Sequence, residues 1–198
     1  MKRITAIVAL MLCMCMVSEA KLVLSSLCSD GMVLQQNDNA TVWGTADPGS
    51  QITVTPSWSG RSYSAKAGKD GRWTVKVATP QGSYKAYTMT VKGNGETIRI
   101  KDILVGEVWL ASGQSNMEMP MRGFYNCPVE DALEYISAPA ATEKIRMFTV
   151  PIKQSYEPQT EVDGKWMGAE SSTIPDMSAT AYFFARKLNE TLDVPVGI

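Results

Sequence analysis

Residues 102–120 read DILVGEVWLASGQSNMEMP. The run from Ile103 to Ala111 is apolar almost throughout instead of alternating, which predicts a strand covered on both faces within a parallel sheet. Functional groups in open α/β sheets lie just beyond the carboxyl ends of strands, where this segment places Ser115. Gly113 can adopt backbone conformations closed to other residues, so it could present the Ser115 hydroxyl on a tight turn. The Ser115 N–H could then face a developing oxyanion, and Ser115 is therefore a candidate nucleophile.

A second interpretation of this serine is structural. The loop formed by Gly113, Gln114, Ser115 and Asn116 is also typical of a polar strand-to-helix connection in which Ser115 or Asn116 caps the helix. The Gly-x-Ser-x-Gly elbow of α/β-hydrolases is absent, because Met117 occupies its last position. A serine nucleophile also needs a proton acceptor, and the chain has no histidine. The residues alone leave both interpretations open.

The pattern after residue 120 predicts a helix, a strand, a helix and a strand in turn. Pro128 opens the first helix and Pro139 ends it. Its predicted apolar positions are Val129, Ala132, Leu133 and Ile136. The segment KIRMFTV, residues 144–150, predicts a buried strand that a polar loop follows as far as residue 177. Ser178 is predicted to cap the second helix, and VPVGI at residues 194–198 begins the last strand. The predicted apolar face of the second helix consists of Ala181, Phe184, Ala185, Leu188 and Leu192.

Residues 32–101 differ from this second half, since they form short alternating segments separated by turn residues. In RWTVKVA the residues Trp73, Val75 and Val77 share one face, and both Asp70-Gly71 and Asn94-Gly95 are typical of hairpin turns. Six or seven such strands predict a small antiparallel β-sandwich over residues 21–101.

The change of pattern at Asp102 marks the predicted start of a second domain, residues 102–198, which opens as a doubly wound, mostly parallel α/β fold. Three strands would leave one sheet edge open. We therefore expect this α/β domain to be incomplete and the chain to continue past Ile198.

The first 20 residues have the pattern of a secretory signal peptide. Lys2 and Arg3 precede an apolar run, and small residues lead up to Ala20. The run is shorter than the roughly 20 residues that span a bilayer, so the mature chain is expected to be exported and soluble. A lipoprotein signal with Cys13 or Cys15 acylated is the alternative.

The cysteine content and the net charge limit which kinds of binding site and which kinds of partner the sequence predicts. Cys28 and Cys127 could pair in an oxidising compartment, but two buried, unpaired thiols are the favoured prediction. The chain carries 19 basic and 20 acidic residues, a net charge of −1. This balance argues against nucleic acid or an anionic membrane surface as a partner. With no histidine and no Cys-x-x-Cys in the mature chain, no metal site is predicted.

Several blocks of the sequence resemble one known family. They are SDGMVLQQN at residues 29–37, VWGTADPGSQITV at 42–54, LVGEVWLASGQSNMEMP at 104–120 and SATAYFFARKLNETLDVPVGI at 178–198. Together they are similar to the sialate O-acetylesterase family of the SGNH hydrolase superfamily. This resemblance implies a serine esterase that removes acetyl groups from sugar hydroxyls without a metal or an organic cofactor. It also implies that Ser115 is the nucleophile and that its N–H is an oxyanion donor. Further oxyanion donors and a histidine with an aspartate are implied beyond Ile198.

We therefore predict a secreted carbohydrate O-acetylesterase whose substrate is O-acetylated sialic acid or acetylated plant polysaccharide, with the 198 residues inactive alone. The alternative is a non-catalytic carbohydrate-binding protein that uses the β-sandwich. For that function Trp58, beside Ser59 and Gly60, is the candidate sugar platform.

Overall fold

The computed structural model describes residues 21–137 and 144–198. Two sheets build its first half. The smaller sheet is antiparallel in the order β1 (Val23–Leu24), β3 (Asn39–Thr45) and β6 (Arg72–Ala78). The second has the antiparallel order β8 (Glu96–Val108), β7 (Ser83–Gly93), β4 (Gln51–Pro56) and β5 (Tyr63–Lys66). Buried side chains of both sheets belong to one apolar core, as the alternating pattern predicts for a β-sandwich.

Turn residues predicted some strand connections and not others. Asn94 and Gly95 have φ values of 52° and 73°, and they join β7 to β8 as a hairpin, as predicted. Asp70-Gly71 does form a turn, but the hairpin expected there is wrong, because β5 pairs with β4 and β6 pairs with β3. The strands on either side of this turn thus belong to opposite sheets, where both can turn apolar residues into the shared core.

β8 belongs to both halves of the chain. Its first residues pair with β7, whereas its last residues pair in parallel with β2 (Val33–Gln35) and β11 (Val196–Gly197). Asp102, in the middle of the strand, has a φ of 53°. Burial alternates before Asp102 and becomes continuous after it, from Ile103 to Gly106. The predicted change of pattern at Asp102 therefore falls inside one continuous strand, and the division into two domains stays a prediction.

Beyond β8 the sheet is parallel except at its edge. β11 lies between β8 and β9 (Ile145–Phe148) and runs parallel to both, while β10 (Trp166–Gly168) pairs antiparallel with β9. The helices are α1 (Ser115–Glu118), α2 (Ala132–Ser137), α3 (Ala179–Leu192) and a 3-10 turn at Ile174–Asp176. α3 packs on β9 and β11 over a second apolar core. The predicted succession of strand, helix, strand, helix and strand is therefore present.

The region between β8 and β9 differs in detail from its prediction. α2 begins at Ala132 instead of Pro128, because Asp131 has a φ of 56°, which a right-handed helix does not accommodate. Leu133, a predicted core position, is 77% exposed. Pro139 lies outside the described residues. The predicted polar loop 151–177 contains β10 and the 3-10 turn, which are too short to produce a periodic pattern.

The predicted start of α3 is confirmed, since the Ser178 hydroxyl accepts a hydrogen bond from the Ala181 N–H at 3.4 Å. Its predicted apolar face is rotated. Tyr182 is fully buried, whereas Phe184 and Leu192 are 42% and 48% exposed. The helix lays the side of Ala181, Tyr182 and Ala185 on the sheet, and the amphipathic pattern did not distinguish that side from its neighbour.

Arg146 connects the two halves of the molecule from β9. Its side chain is 10% exposed and forms an ion pair with Asp102 at 2.8 Å. The guanidinium also donates to the backbone carbonyls of Gly31, at 2.7 Å, and of Asp102. All three acceptors lie outside β9, so this single side chain joins the parallel strands to the sandwich.

Replacing Arg146 with methionine is expected to lower the free energy of unfolding by about 2 kcal/mol, because two partly buried carbonyls and the Asp102 carboxylate lose a charged donor. Denaturant unfolding followed by circular dichroism measures the change. Arg72→Met is the matched control, since Arg72 is 60% exposed and lies 3.8 Å from Asp70. That exposed pair is expected to contribute less than about 1 kcal/mol. Equal losses in the two variants would contradict the role assigned to Arg146.

Candidate active site

The candidate site follows directly after β8. The last link to the sheet is the Trp109 N–H, which donates to the Gly197 carbonyl at 2.9 Å. After this bond the backbone leaves the sheet, and Leu110 is 93% exposed. The predicted burial of the whole apolar run is therefore wrong at its carboxyl end. Trp109 itself is 46% exposed, with its ring edge-on to Phe184 at 5.3 Å.

Ser115 is the first residue of the single helical turn α1. Gln114 lies just before the turn, and its carbonyl accepts from the N–H groups of Met117 and Glu118 at 2.9 and 3.0 Å. The first N–H groups of a helix have no acceptor within that helix. Residues 112–116 are all exposed. The Ser115 side chain therefore faces outward, with its N–H at the open end of the turn.

Gly113 serves a different purpose from the predicted one. Its φ lies outside the left-handed region, so the turn requires no conformation restricted to glycine. A Cβ at this position would lie 3.1 Å from the Met117 Cβ. A side chain at position 113 would therefore crowd the side chain of Met117.

The groups near this turn supply a hydroxyl and N–H donors without an imidazole, because the 198 residues contain no histidine. Glu118 ends α1 and is exposed to solvent. Arg122 and Asp176 form an exposed ion pair farther along the chain. What the described residues present at this turn is thus an exposed serine hydroxyl together with the backbone N–H at the start of α1.

Two residues that support this turn escaped the sequence analysis in that role. The Thr180 hydroxyl donates to the Asn116 carbonyl at 3.0 Å. The Ser178 hydroxyl, predicted as a helix cap, also lies 3.4 Å from the Met117 sulfur. Both contacts join positions more than 60 residues apart. No local sequence pattern reports such a separation.

Comparison with known proteins agrees with this arrangement. Sialate O-acetylesterase of Mus musculus is 32% identical over 183 residues, which cover 84% of this chain and 33% of that protein. The Homo sapiens protein of the same name is 32% identical over 191 residues, covering 88% of this chain and 35% of that protein. The chain is a homologue of the sialate O-acetylesterases. It spans about a third of the length of these relatives. No protein-family model matches it.

This sialate O-acetylesterase homologue also resembles a solved structure in its fold. The crystal structure of a carbohydrate acetylesterase from Xanthomonas citri superposes with a TM-score of 0.81 at 33% sequence identity. The superposition covers 90% of this chain and 39% of that one. The arrangement of sandwich and parallel strands is therefore one that a carbohydrate acetylesterase also has.

Cys28 and Cys127, the two cysteines within the described residues, are both unpaired. Cys28 is buried, and this burial raises the pKa of its thiol to about 11, so the thiol stays protonated near neutral pH. Cys127 is exposed, which corrects the prediction that both thiols are buried. It belongs to a surface turn in which Cys127 and Phe124 exchange backbone hydrogen bonds of 3.0 Å.

Trp58, the candidate sugar platform, is half-buried in the sandwich. Its indole N–H donates to the Ala78 carbonyl at 2.9 Å, and its ring packs edge-on against Tyr87 at 5.5 Å. The indole therefore has a partner within the fold for its only polar group.

The described residues contain neither a cluster of metal-ligating side chains nor a membrane-spanning helix. Within residues 21–137 and 144–198, no three side chains of histidine, cysteine, aspartate or glutamate are grouped as metal ligands would be. Over the same ranges, no helix has the length and apolar character needed to cross a membrane.

Proposed function

We propose that this chain is the amino-terminal part of a secreted carbohydrate O-acetylesterase of the SGNH type, with Ser115 as its nucleophile. The substrate is an acetyl ester on a sugar hydroxyl, carried by sialic acid or by plant polysaccharide. Homology to the sialate O-acetylesterases and to a carbohydrate acetylesterase supports the reaction class.

The observation that carries the proposal is the position of Ser115. It follows the carboxyl end of β8, a strand with parallel neighbours on both sides, which is where open α/β sheets carry their functional groups. Its side chain is exposed at the first position of a helical turn. A serine that only capped a helix would lie one position earlier, where Gln114 is found, and Gln114 makes no side-chain capping bond.

In the proposed reaction the Ser115 Oγ attacks the acetyl carbonyl, and a new C–O bond forms as the serine proton passes to a base. The carbonyl electrons move onto oxygen, and the Ser115 N–H donates to that oxyanion. Collapse of this intermediate breaks the bond to the sugar oxygen, which leaves with the proton. Water then hydrolyses the acetyl-serine in the same two steps and releases acetate.

The proposed base is a histidine, which must lie outside the 198 residues because they contain none. An aspartate from the same later part of the protein is proposed to orient it. The chain spans about a third of its relatives' length, which leaves room for such groups in the whole protein. The 198 residues alone are then a folded support for Ser115 without a general base. We expect them to hydrolyse almost nothing.

Covalent labelling tests the nucleophile directly. Full-length protein recovered from the exported fraction is treated with a fluorophosphonate, digested with trypsin and analysed by mass spectrometry. Cleavage at Lys101 and Arg122 yields one peptide that contains both Ser112 and Ser115. Fragmentation is expected to place the adduct on Ser115, because only an activated serine reacts with this reagent.

Ser112→Ala is the matched control, since Ser112 is exposed three positions before Ser115. Labelling should persist in Ser112→Ala and disappear in Ser115→Ala. An adduct on another serine of an active preparation would remove Ser115 from its role.

An exported protein that begins at Lys21 would also support the proposed signal peptide, and retention of residues 1–20 would contradict it.

A further inference from the structure

The turn that carries Ser115 has little means of holding its own position. α1 comprises four residues, and none of them is buried. A single helical turn is far below the roughly 12 residues at which an isolated helix becomes marginally stable. The precision that a nucleophile requires must therefore come from outside α1.

That support comes from residues 177–180, here called the support segment, at the start of α3. Pro120 and Ser178 form an isolated antiparallel bridge. Backbone hydrogen bonds run from the Met121 N–H to the Met177 carbonyl, at 2.8 Å, and from the Ala179 N–H to the Met119 carbonyl, at 2.9 Å. These contacts fix the end of the turn against a helix.

One acceptor inside the turn lacks its ordinary donor. In an α-helix the carbonyl of Asn116 would accept from the N–H of residue 120. Residue 120 is proline and has no N–H. The hydroxyl of Thr180 donates to this carbonyl at 3.0 Å. Thr180 therefore supplies the hydrogen bond that Pro120 cannot donate. The carbonyl that accepts it belongs to Asn116, the residue after Ser115.

The support segment is itself firmly held. Ala181, Tyr182 and Ala185, which follow it in α3, are buried in the second core. The Ser178 hydroxyl caps this helix and contacts the Met117 sulfur at 3.4 Å. A helix whose buried side packs into the second core is thus joined directly to the exposed turn, and such support from a packed element is how preorganised sites obtain their accuracy.

We propose that Thr180 is a positioning residue for the reaction. Its hydroxyl holds the Asn116 carbonyl and thereby fixes the direction of the Ser115 side chain and N–H. This inference rests on the proposed function of Ser115. In this role Thr180 does not contact the substrate. It acts only through the turn that carries Ser115.

The test is Thr180→Val in the full-length enzyme, because valine keeps the branched shape and removes only the hydroxyl. We expect kcat for acetate release from an O-acetylated sugar to fall about tenfold and KM to change less than about twofold. The melting temperature should stay close to that of the wild type, since Thr180 is exposed. Thr180→Ser restores the donor and should recover most of the lost kcat.

Thr191→Val is the matched control. Thr191 lies in the same helix, and its hydroxyl also donates to a backbone carbonyl, that of Lys187 at 2.7 Å. It is expected to leave kcat unchanged. An unchanged kcat in Thr180→Val, or an equal loss in Thr180→Ser, would overturn the inference. If Thr180→Val lowered the melting temperature and reduced kcat no more than Thr191→Val, the inference would also fail.

The outcomes separate this inference from the proposed function. Turnover that persists in Ser115→Ala refutes the proposed function itself. Loss of turnover in Ser115→Ala together with full activity in Thr180→Val refutes only the positioning role. Full loss in Ser115→Ala with a kcat-specific loss in Thr180→Val supports both.

Discussion

Replacing Ser115 with alanine in the full-length protein is expected to lower the proposed esterase kcat by at least about 10⁴-fold, the scale on which triad hydrolases respond to loss of a catalytic member. Alanine removes the attacking oxygen but leaves the backbone N–H and the turn in place. Since Ser115 is exposed and none of α1 is buried, the fold should not change. The melting temperature and circular dichroism spectrum check this expectation.

The choice of substrate decides how sharp this measurement is. p-Nitrophenyl acetate is an activated ester that also reacts with exposed nucleophiles, and Cys127 is an exposed thiol. Acetate release from an O-acetylated sugar avoids that background. Ser112→Ala, from the same exposed segment, should retain full activity. If the Ser115 variant turned over acetylated sugar at the wild-type rate, another nucleophile would have to be sought.

Gly106→Ala is expected to have the largest effect on stability, a loss of about 4 kcal/mol or failure to fold. Gly106 lies in β8, where a Cβ would come within 2.0 Å of the Pro195 carbonyl oxygen and 2.8 Å of its carbon. These are backbone atoms of the residue immediately before β11. Neither strand can move aside freely, because the Glu107 N–H donates to that same carbonyl at 2.9 Å. The substitution should therefore separate the two parallel strands.

Gly168→Ala provides the control for this prediction. Gly168 is also in a strand, β10, but the nearest atom to a Cβ there is the flexible Glu170 Oε1 at 3.7 Å. Its unfolding free energy should change by less than about 0.5 kcal/mol. Denaturant unfolding of both variants measures the difference. Equal unfolding midpoints would show that β8 and β11 are not packed as closely as described.

Sequence patterns correctly predicted strands, turns and helix caps whose formation depends on residues close together in the chain. The alternation of Trp73, Val75 and Val77 placed three side chains in the sandwich core, and all three are buried. Asn94-Gly95 forms its hairpin because both residues tolerate positive φ. Ser178 caps α3 because its hydroxyl can accept from a helix N–H. Each outcome depends on residues within a few positions of one another.

Predictions failed where a distant segment decides the outcome. The amphipathic pattern of α3 could not identify which side meets the sheet, so Phe184 was expected inside and is exposed. Gly113 was expected to enable an unusual backbone conformation, yet its φ lies outside the left-handed region, and what its missing Cβ spares is a close contact with Met117. The length of an apolar run did not reveal that β8 ends at Val108 and leaves Leu110 outside.

The sequence by itself determined the period-2 strands, the tight turns and the placement of Ser115 after a buried strand, because side-chain alternation and φ preference act between near neighbours. Tertiary structure alone decided which sheet each strand joins, how closely β11 approaches Gly106, and that Thr180 reaches the carbonyl beside Ser115. Those features join residues far apart in the chain, so they depend on how whole strands and helices pack together and not on any local pattern.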